Sequence, residues 1–282
     1  MRWVRGVLTS PPALIGGLLT VMWLVVGLFA PIVAPLDPLA NYLPLLPPNS
    51  IDPISGAHYW LGTDMLGRDV ASRMIWGTRT VLIWATTATA AAFAVGIFAG
   101  LFAGFYRGRV DAVLSFLANA VLSFPVLVLY VIIIISLGAS GTNIVLAVTF
   151  ASAPAIFRLV RALTIDLRSR DFVQAAITQG EGDLRIMLVE ILPNALRPVM
   201  VDLCLRLGYT AATIGVLGFL GLGLPPPTPD WGGMVNEGRG MAMVFPHLVI
   251  FPAAAISSLV LGLSLLADGL EEISKRQHGR AA

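Results

Sequence analysis

The chain has 282 residues, of which 57% are hydrophobic and only 12% are charged. That charged fraction is about half the usual share of a soluble domain, so a water-soluble globular enzyme is excluded and a lipid bilayer is the solvent that fits the composition. The single cysteine, Cys204, excludes an intrachain disulfide and a cysteine-cluster metal site. The net charge of +2 is too small to indicate nucleic-acid binding.

Six apolar runs are long enough to cross a membrane, for which a helix needs roughly 20 apolar residues. The alternation typical of a β-barrel is absent, so the runs are predicted to be helices. The first run follows Arg2 and Arg5, but it is too long for a signal peptide and is interpreted as an uncleaved anchor. The predicted spans are 13–34, 80–105, 112–137, 143–163, 196–222 and 244–267.

The distribution of lysine and arginine predicts the orientation of these spans. The cytoplasmic set is Arg2, Arg5, Arg107, Arg109, Arg158, Arg161, Arg168, Arg170, Arg185, Arg197, Lys275, Arg276 and Arg280. The outer set is only Arg68, Arg73, Arg79 and Arg239, while Arg206 lies inside a span. This bias places both terminal segments, 1–12 and 273–282, in the cytoplasm. The transmembrane domain is predicted at 13–272, between them in the sequence.

Three connecting segments are too long to be simple turns. The outer segment 35–79 is rich in proline and is predicted to be extended chain. The inner segment 164–195 carries charges of both signs and has a helical pattern. The outer segment 223–243 is rich in glycine and proline, which predicts irregular backbone that protein or a water-filled cavity must cover.

The inner segment is predicted to form two short helices. Phe172, Ala175, Ala176 and Gln179 share one helical face, and Gly180 follows where a C′ glycine ends a helix. A second helix at roughly 183–190 is predicted to stop at Pro193. Such a pair would project from the membrane and dock a partner. The alternative, an amphipathic helix lying among the lipid headgroups, stays open on these residues alone.

The same segment resembles the EAA signature of ABC importer permeases. Ala175-Ala176, Gly180 and Leu192-Pro193 have its spacing, whereas Gln174 and Glu190 replace its leading glutamate and its usual isoleucine or histidine. A salt bridge from position 174 is therefore not expected. The resemblance implies an ATPase-coupling loop formed by Phe172, Gln174, Ala175, Ala176, Gln179, Gly180, Glu181, Leu192 and Pro193.

Two outer segments resemble the dipeptide/oligopeptide permease family. Residues 61–69 are similar to its Leu-Gly-Thr-Asp-x-x-Gly-Arg-Asp stretch, and residues 218–232 to its Phe-Leu-Gly-Leu-Gly-x-x-Pro-Pro-x-Pro-x-Trp-Gly stretch. Residues 267–270, Ala-Asp-Gly-Leu, are similar to the Gly-Asp-Gly-Leu that closes the family's last span. The resemblance covers 56–272 and fits the second, C-type permease of the pair.

This resemblance implies an all-α integral membrane protein with six transmembrane helices, in the type I ABC importer permease fold with cytoplasmic coupling helices. Its outer motifs would receive a substrate-binding protein, or would form a rigid cap without a ligand. The motif residues are Gly62, Thr63, Asp64, Gly67, Arg68, Asp69, Pro226 and Trp231. Trp231 also suits a membrane–water interface.

One charged pair lies inside a predicted span. Asp202 and Arg206 are four residues apart and therefore on one helical face. Ionisable groups inside a membrane indicate a functional site, so the pair is a candidate part of the translocation pathway. The alternative is mutual neutralisation near the cytoplasmic end of the span. Small residues elsewhere in the spans predict close helix packing: Ala85, Ala88, Ala90, Gly96, Gly100, Gly208, Gly215 and Gly218.

The sequence does not predict an enzyme. It has no P-loop motif and no nucleophile–base arrangement, and His58, His247 and His278 are too far apart in the topology to share a metal. The resemblance implies the membrane subunit of a binding-protein-dependent ABC importer in a prokaryotic inner membrane, forming half of a pathway for peptides or similar small solutes. A self-contained secondary transporter is the alternative, although no inverted repeat is visible. A membrane-embedded enzyme is a third.

The partners that the resemblance implies are a second homologous permease subunit, one or two P-loop ATPase subunits that bind ATP and Mg²⁺, and an extracytoplasmic substrate-binding protein. The chain itself is expected to bind no cofactor and no nucleic acid, and to be surrounded by membrane lipid. The substrate stays open among dipeptides, oligopeptides, glutathione, haem, nickel and oligosaccharides.

Overall fold

The computed structural model describes residues 10–53 and 56–278, so residues 1–9 of the predicted N-terminal segment and 279–282 of the predicted tail lie outside it. The described chain is mostly helical, with one two-stranded hairpin, β1 (Ser50–Ile51) and β2 (His58–Tyr59). The α-helices are α1 (Pro11–Leu28), α2 (Ala30–Val33), α3 (Val70–Tyr106), α4 (Gly108–Leu122), α5 (Val126–Leu137), α6 (Gly141–Arg168), α7 (Asp171–Thr178), α8 (Asp183–Arg185), α9 (Leu192–Phe219), α10 (Trp231–Gly238) and α11 (His247–His278).

Within the described residues, five stretches of helix are each long and apolar enough to cross a membrane: α1, α3, α6, the run from Asp183 to Phe219, and α11. The third predicted span, 112–137, is different. It is divided into α4 and α5, which meet at an angle of 87°. Counting this bent pair as one span gives six.

A proline breaks the third span. Pro125 has no N–H to donate to the helix and disfavours helical backbone at Phe124 before it. Ser123 closes the end of α4, since its hydroxyl donates to the Asn119 carbonyl at 2.8 Å. At 15 and 12 residues, the halves are roughly 22 and 18 Å long, each too short to cross a core of about 30 Å.

The second span begins ten residues earlier than predicted. Asp69 caps α3, because its side chain accepts a 2.8 Å hydrogen bond from the Ser72 amide. The outer loop predicted at 35–79 therefore ends at Asp69, and Arg73 and Arg79 lie on the helix. With 37 residues, α3 is about 55 Å long, far more than the bilayer core requires.

Pro193 does not end a helix, contrary to the sequence prediction. A π-helix at Ile186–Ile191 leads from α8 directly into α9, and Pro193 occupies the first turn of α9. Proline is tolerated there for two reasons. The wider π-turn shifts the backbone hydrogen-bonding pattern, and the first residues of an α-helix need no partner for their N–H groups, so the N–H group that proline lacks is not missed. The second helix of the inner segment is thus the start of the fifth span.

The segment predicted at 223–243 is not irregular throughout. It contains α10, and a 3₁₀ turn at Arg239–Met241 follows. Asp230 caps α10 by accepting from the Gly233 amide at 3.0 Å. Irregular backbone is thus confined to the stretch before α10 and to the residues before α11.

Glycine allows the most extensive helix contact in the molecule, between α3 and α6. A Cβ on Gly96, Gly100 or Gly104 would lie 2.6–2.7 Å from side-chain carbons of Ile156, Val160 and Thr164 respectively. Because the three glycines recur every four residues, they form one groove along α3 that receives α6. Of the small residues predicted to pack helices, Gly96 and Gly100 act in this way.

Candidate functional site

The Leu-Gly-Thr-Asp motif at residues 61–69 folds back on the segment that precedes it. Gly62 and Gly67 have φ angles of +80° and +79°, in the left-handed region that favours glycine. A Cβ at Gly67 would collide with the Tyr42 carbonyl. Backbone hydrogen bonds join the two segments, from Tyr42 N to Gly67 O at 2.9 Å and from Thr63 N to Leu46 O at 3.1 Å.

The polar side chains of this motif stabilise the same fold. The Thr63 hydroxyl donates to the Leu43 carbonyl at 2.7 Å and accepts from the Leu46 amide at 2.8 Å. Asp64 Oδ1 accepts from the backbone amides of Leu66 and Arg68, both at 2.9 Å. Gly62, Thr63, Asp64, Gly67, Arg68 and Asp69 are all buried. The motif's polar side chains thus hold this turn against residues 43–46 and are not free on the surface.

Two of the motif's charges belong to a larger group, which we call the four-charge cluster: Asp64, Arg68, Arg73 and Glu237. Arg68 Nε lies 2.7 Å from Asp64 Oδ2, and Arg68 Nη2 lies 2.6 Å from Glu237 Oε2. The same Glu237 oxygen is 3.2 Å from Arg73 Nη2, while Arg73 Nε is 3.5 Å from Asp64 Oδ2. The Arg73 side chain is only 2% exposed, whereas that of Glu237 is 37% exposed.

The four-charge cluster fastens α10 to the start of α3. Arg68 and Glu237 are far apart in sequence, so no local spacing indicates the contact. A cavity of about 240 Å³ opens beside the cluster, and the two arginines and Glu237 line it together with apolar side chains. Sequence analysis missed Glu237 entirely and treated Arg73 only as a loop charge.

Trp231 is fully buried, so the prediction that it lies at the membrane interface is wrong. Its indole N–H donates to the Met74 carbonyl of α3 at 2.9 Å. Its ring meets Trp23 of α1 edge to face, with 4.9 Å between the ring centroids. A buried indole needs such a hydrogen-bond acceptor, and this one lets Trp231 join α10 to two spans. Pro226, in contrast, is exposed.

Asp230 is a buried cap whose carboxyl is only partly hydrogen-bonded. Burial raises the pKa of its carboxyl to about 6, and the nearby Glu237 carboxylate raises it further. The amides of Gly233 and Gly232 and the Arg73 guanidinium act in the opposite direction. Asp230 Oδ1 has no hydrogen-bond partner among the described residues. The charge on this carboxyl is thus less favourable than on an exposed aspartate.

The inner segment has the helix–glycine–helix geometry. Gly180 has a φ angle of +76° and follows α7 at the C′ position. The Glu181 amide donates to the Ala176 carbonyl at 3.2 Å and the Gly180 amide to the Ile177 carbonyl at 3.0 Å, which together make a Schellman ending. A Cβ on Gly180 would meet nothing within 4 Å, so only its backbone conformation requires glycine.

The predicted helical face of α7 is divided between core and solvent. Ala176 is buried with Val173, and both pack with Ile186, Met187 and Ile191 against α3 and α6. Phe172, Ala175 and Gln179 face solvent. Ala176 is therefore a packing residue, and the interpretation of these four as one contact face is corrected in that respect. The exposed large apolar side chains here are Phe172 and Ile177 on α7 itself, and Leu184, Leu188 and Val189 on the helical run that follows.

The remaining predicted loop residues have structural contacts. The Gln174 amide donates to the Arg168 carbonyl at 2.7 Å, which closes the turn between α6 and α7. Glu181 lies 3.5 Å from Arg185 in a weak ion pair. Leu192 is half-buried and packs against the core beneath α7, and Pro193 is exposed. The loop is thus anchored by its own side chains and presents α7 outward.

Asp202 and Arg206 form the predicted pair in α9, with 2.6 Å between Arg206 Nε and Asp202 Oδ2. Their side chains are 20% and 24% exposed. Other polar groups lie nearby within the bundle. The Tyr130 hydroxyl of α5 is in hydrogen-bonding reach of Ser152 and Thr213 and in the electrostatic field of Arg206. The pair therefore belongs to a polar patch that apolar span patterns do not reveal.

The motif clusters thus lie in two places, the four-charge cluster at the start of α3 and the exposed surface of α7 beside the far end of α3. Among the described residues, no three His, Cys, Asp or Glu side chains are grouped so that they could hold a metal ion.

Comparisons with known proteins agree on the kind of molecule. The family model described as "Binding-protein-dependent transport system inner membrane component" matches residues 96–277. The chain is 35% identical over 260 residues to the glutathione transport system permease protein GsiD of Escherichia coli O6:K15:H31 (strain 536 / UPEC) and of Shigella boydii serotype 4 (strain Sb227). Each alignment covers 92% of this chain and 84% of the relative.

Two solved structures share the fold. The inward-facing MetNI methionine ABC transporter gives a TM-score of 0.57 at 16% identity, covering 71% of this chain and 96% of that one. An amino acid ABC transporter with histidines gives a TM-score of 0.53 at 18% identity, covering 70% of this chain and 91% of that one.

Proposed function

Because the chain belongs to the family of binding-protein-dependent transport system inner membrane components, which supply the permease subunits of ABC importers, we propose that its own importer carries peptides or peptide-like small solutes. It is a multi-pass inner-membrane protein of a bacterial importer and not the catalytic subunit. The observation that carries the proposal is the near full-length similarity to GsiD. Glutathione is a tripeptide. The substrate named for GsiD therefore belongs to the same chemical class as the substrates of the dipeptide/oligopeptide permeases whose motifs this chain resembles. A self-contained secondary transporter does not fit this family.

The exposed surface of α7 is the proposed contact with an ATPase subunit. Phe172, Ala175 and Gln179 project from a helix that Val173 and Ala176 fix to the core. The apolar side chains around them are those that a groove on a partner would bury. ATP and Mg²⁺ would be held by that partner. Movement of α7 would then reach α9, because Val173 and Ala176 pack on the π-helix, which runs on into α9.

We expect Ala175→Arg to abolish coupling while the permease still folds. Ala175 is exposed, so the new side chain disturbs no core contact, but docking would bury an unpaired charge at a cost of several kcal/mol. The variant should retain about one tenth or less of the ATPase subunit through purification, and import of a labelled dipeptide and of glutathione should fall with it.

Met243→Arg is the matched control, since Met243 is 98% exposed and lies at the opposite end of the spans. It should retain the ATPase subunit as the wild type does. If Ala175→Arg also retains it and still imports substrate, α7 is not the coupling helix.

A second permease subunit is the proposed partner of the bent pair α4–α5. Most of the large side chains of this pair are exposed in the isolated chain, among them Phe116, Ile132 and Ile135. The substrate-binding protein would rest at the opposite end from α7. Because all of the motif residues there except Pro226 are buried, its contacts would be the exposed residues around them, such as Trp60, Leu66 and Met243.

The basic-residue bias supports cytoplasmic termini, with α7 inside and the β1–β2 hairpin outside. In a Cys204→Ala background, we expect a cysteine at Asn41 to react with an impermeant maleimide on intact cells and a cysteine at Ser169 to react only after permeabilisation. Both positions are exposed, so burial does not hide either thiol. Labelling of both from the same side would overturn the topology.

A further inference from the structure

The four-charge cluster has an uneven distribution of contacts. Glu237 uses a single oxygen, Oε2, to contact both Arg68 Nη2 and Arg73 Nη2, at 2.6 and 3.2 Å. Arg73 Nη1 has no hydrogen-bond partner among the described residues, although only 2% of the Arg73 side chain is exposed. The two arginines thus form a fork that binds one carboxylate oxygen and retains an unused N–H group.

The carboxylate in this fork is the least fixed member of the cluster. Glu237 is the only one of the four residues that is exposed, with 37% of its side chain accessible. Asp64, in contrast, also accepts two backbone hydrogen bonds and is held in place. A carboxylate from outside would therefore exchange with Glu237 and not with Asp64.

The adjoining cavity defines the rest of the ligand. It has a volume of about 240 Å³. Besides the four charged residues, Asp64 among them, its walls are apolar side chains: Met65, Leu66, Val70, Met234 and Leu248. A bidentate arginine site beside an apolar wall is complementary to a carboxylate that carries an apolar group close to it. A half-open cavity of this size suits a small molecule or the end of a peptide better than a broad protein surface.

We propose that Arg68 and Arg73 form a binding site for the carboxylate of a small apolar acid, such as the carboxyl end of a peptide substrate, and that Glu237 occupies this site until the ligand displaces it. Displacement would break the contacts between Glu237 and the start of α3, while Trp231 and Met234 would still hold α10 there. The assignment of the ligand to the transported substrate rests on the proposed peptide function, whereas the binding of a carboxylate does not.

The test is direct binding to the permease purified with its partner subunits in detergent. The probe is N-acetyl-leucine, compared with the neutral N-acetyl-leucinamide, each titrated while the melting temperature is recorded. Only the acid should stabilise the wild type. Glu237→Gln removes the internal competitor, so it should lower the dissociation constant of the acid about fivefold or more and leave the amide without effect.

Two variants serve as controls. Asp37→Asn neutralises an exposed carboxylate outside the cluster and should bind the acid as the wild type does. Arg73→Lys keeps the charge but loses the fork, and should weaken acid binding about tenfold. Equal binding of acid and amide, or an unchanged dissociation constant in Glu237→Gln, would overturn the proposal. A third outcome would also overturn it: Glu237→Gln changes how much substrate-binding protein the permease captures but does not change binding of the acid. That result would mean that the two arginines bind a carboxylate of the substrate-binding protein.

Discussion

Replacing Gly100 by leucine should prevent the permease from folding. A Cβ at this position already lies 2.7 Å from Val160 Cβ and 3.0 Å from the Phe157 carbonyl, so a larger side chain forces α3 and α6 apart. Overpacking of this kind costs about 3 kcal/mol, at the upper end of the usual range, because backbone atoms cannot move aside as a side chain does. The yield of monodisperse protein after extraction from the membrane should fall to a small fraction of the wild type.

Gly17→Leu is the matched control. Gly17 lies on α1, and its Cβ would have only Leu266 Cδ1 nearby, at 3.9 Å. The same change in size and hydrophobicity should therefore leave the yield nearly unchanged. If Gly100→Leu is recovered as well as Gly17→Leu, α3 and α6 do not pack as closely as the structure shows.

Removing one partner of the Asp202–Arg206 pair should be costlier than removing both. Arg206→Leu leaves the Asp202 charge without its 2.6 Å partner in a poorly solvated place. We expect it to destabilise the protein by about 3 kcal/mol, the lower end for a buried pair because both side chains are partly exposed. Asp202→Asn should have a similar effect, and the double variant should recover the yield.

Measuring uptake as well as membrane yield in the two single variants and the double variant should distinguish a structural role of the pair from a role in transport. Arg206 lies in the polar patch that includes Tyr130, where ionisable groups inside a span indicate a pathway. The double variant should therefore recover membrane yield but not uptake of the labelled dipeptide. Recovery of both would make the pair purely structural. Wild-type yield and uptake in both single variants would show that the pair has neither role.

Sequence patterns predicted the helical class, the apolar runs and the glycine ending of α7, because these depend on local rules. Hydropathy and helix capping act within a few residues, so Gly180 and the long apolar runs are visible without a structure. The break at Pro125 was visible in principle, since proline disfavours helix before it. It was missed because the apolar run continues on both sides.

The contacts that define the site are not local. Glu237 meets Arg68 and Arg73 across more than 160 residues, and only the placement of α10 against α3 brings them together. Trp231 was misassigned for the same reason, since an interfacial tryptophan and a buried one with an acceptor have the same sequence signal. The role of the Leu-Gly-Thr-Asp motif, which holds its own turn together, likewise appears only once its partners at residues 42–46 are in place.

The length of α3 has a mechanical consequence. One continuous helix of 37 residues begins beside Arg68 and ends next to the helices that present α7. Along its second half it packs closely against α6 through Gly96, Gly100 and Gly104. A long helix of this kind can tilt as one body. If α3, about 55 Å long, tilts by about 10° around its middle, each end moves by roughly 5 Å and the two ends move in opposite directions. Such a tilt would link the two ends of α3 without any chain of side-chain rearrangements between them.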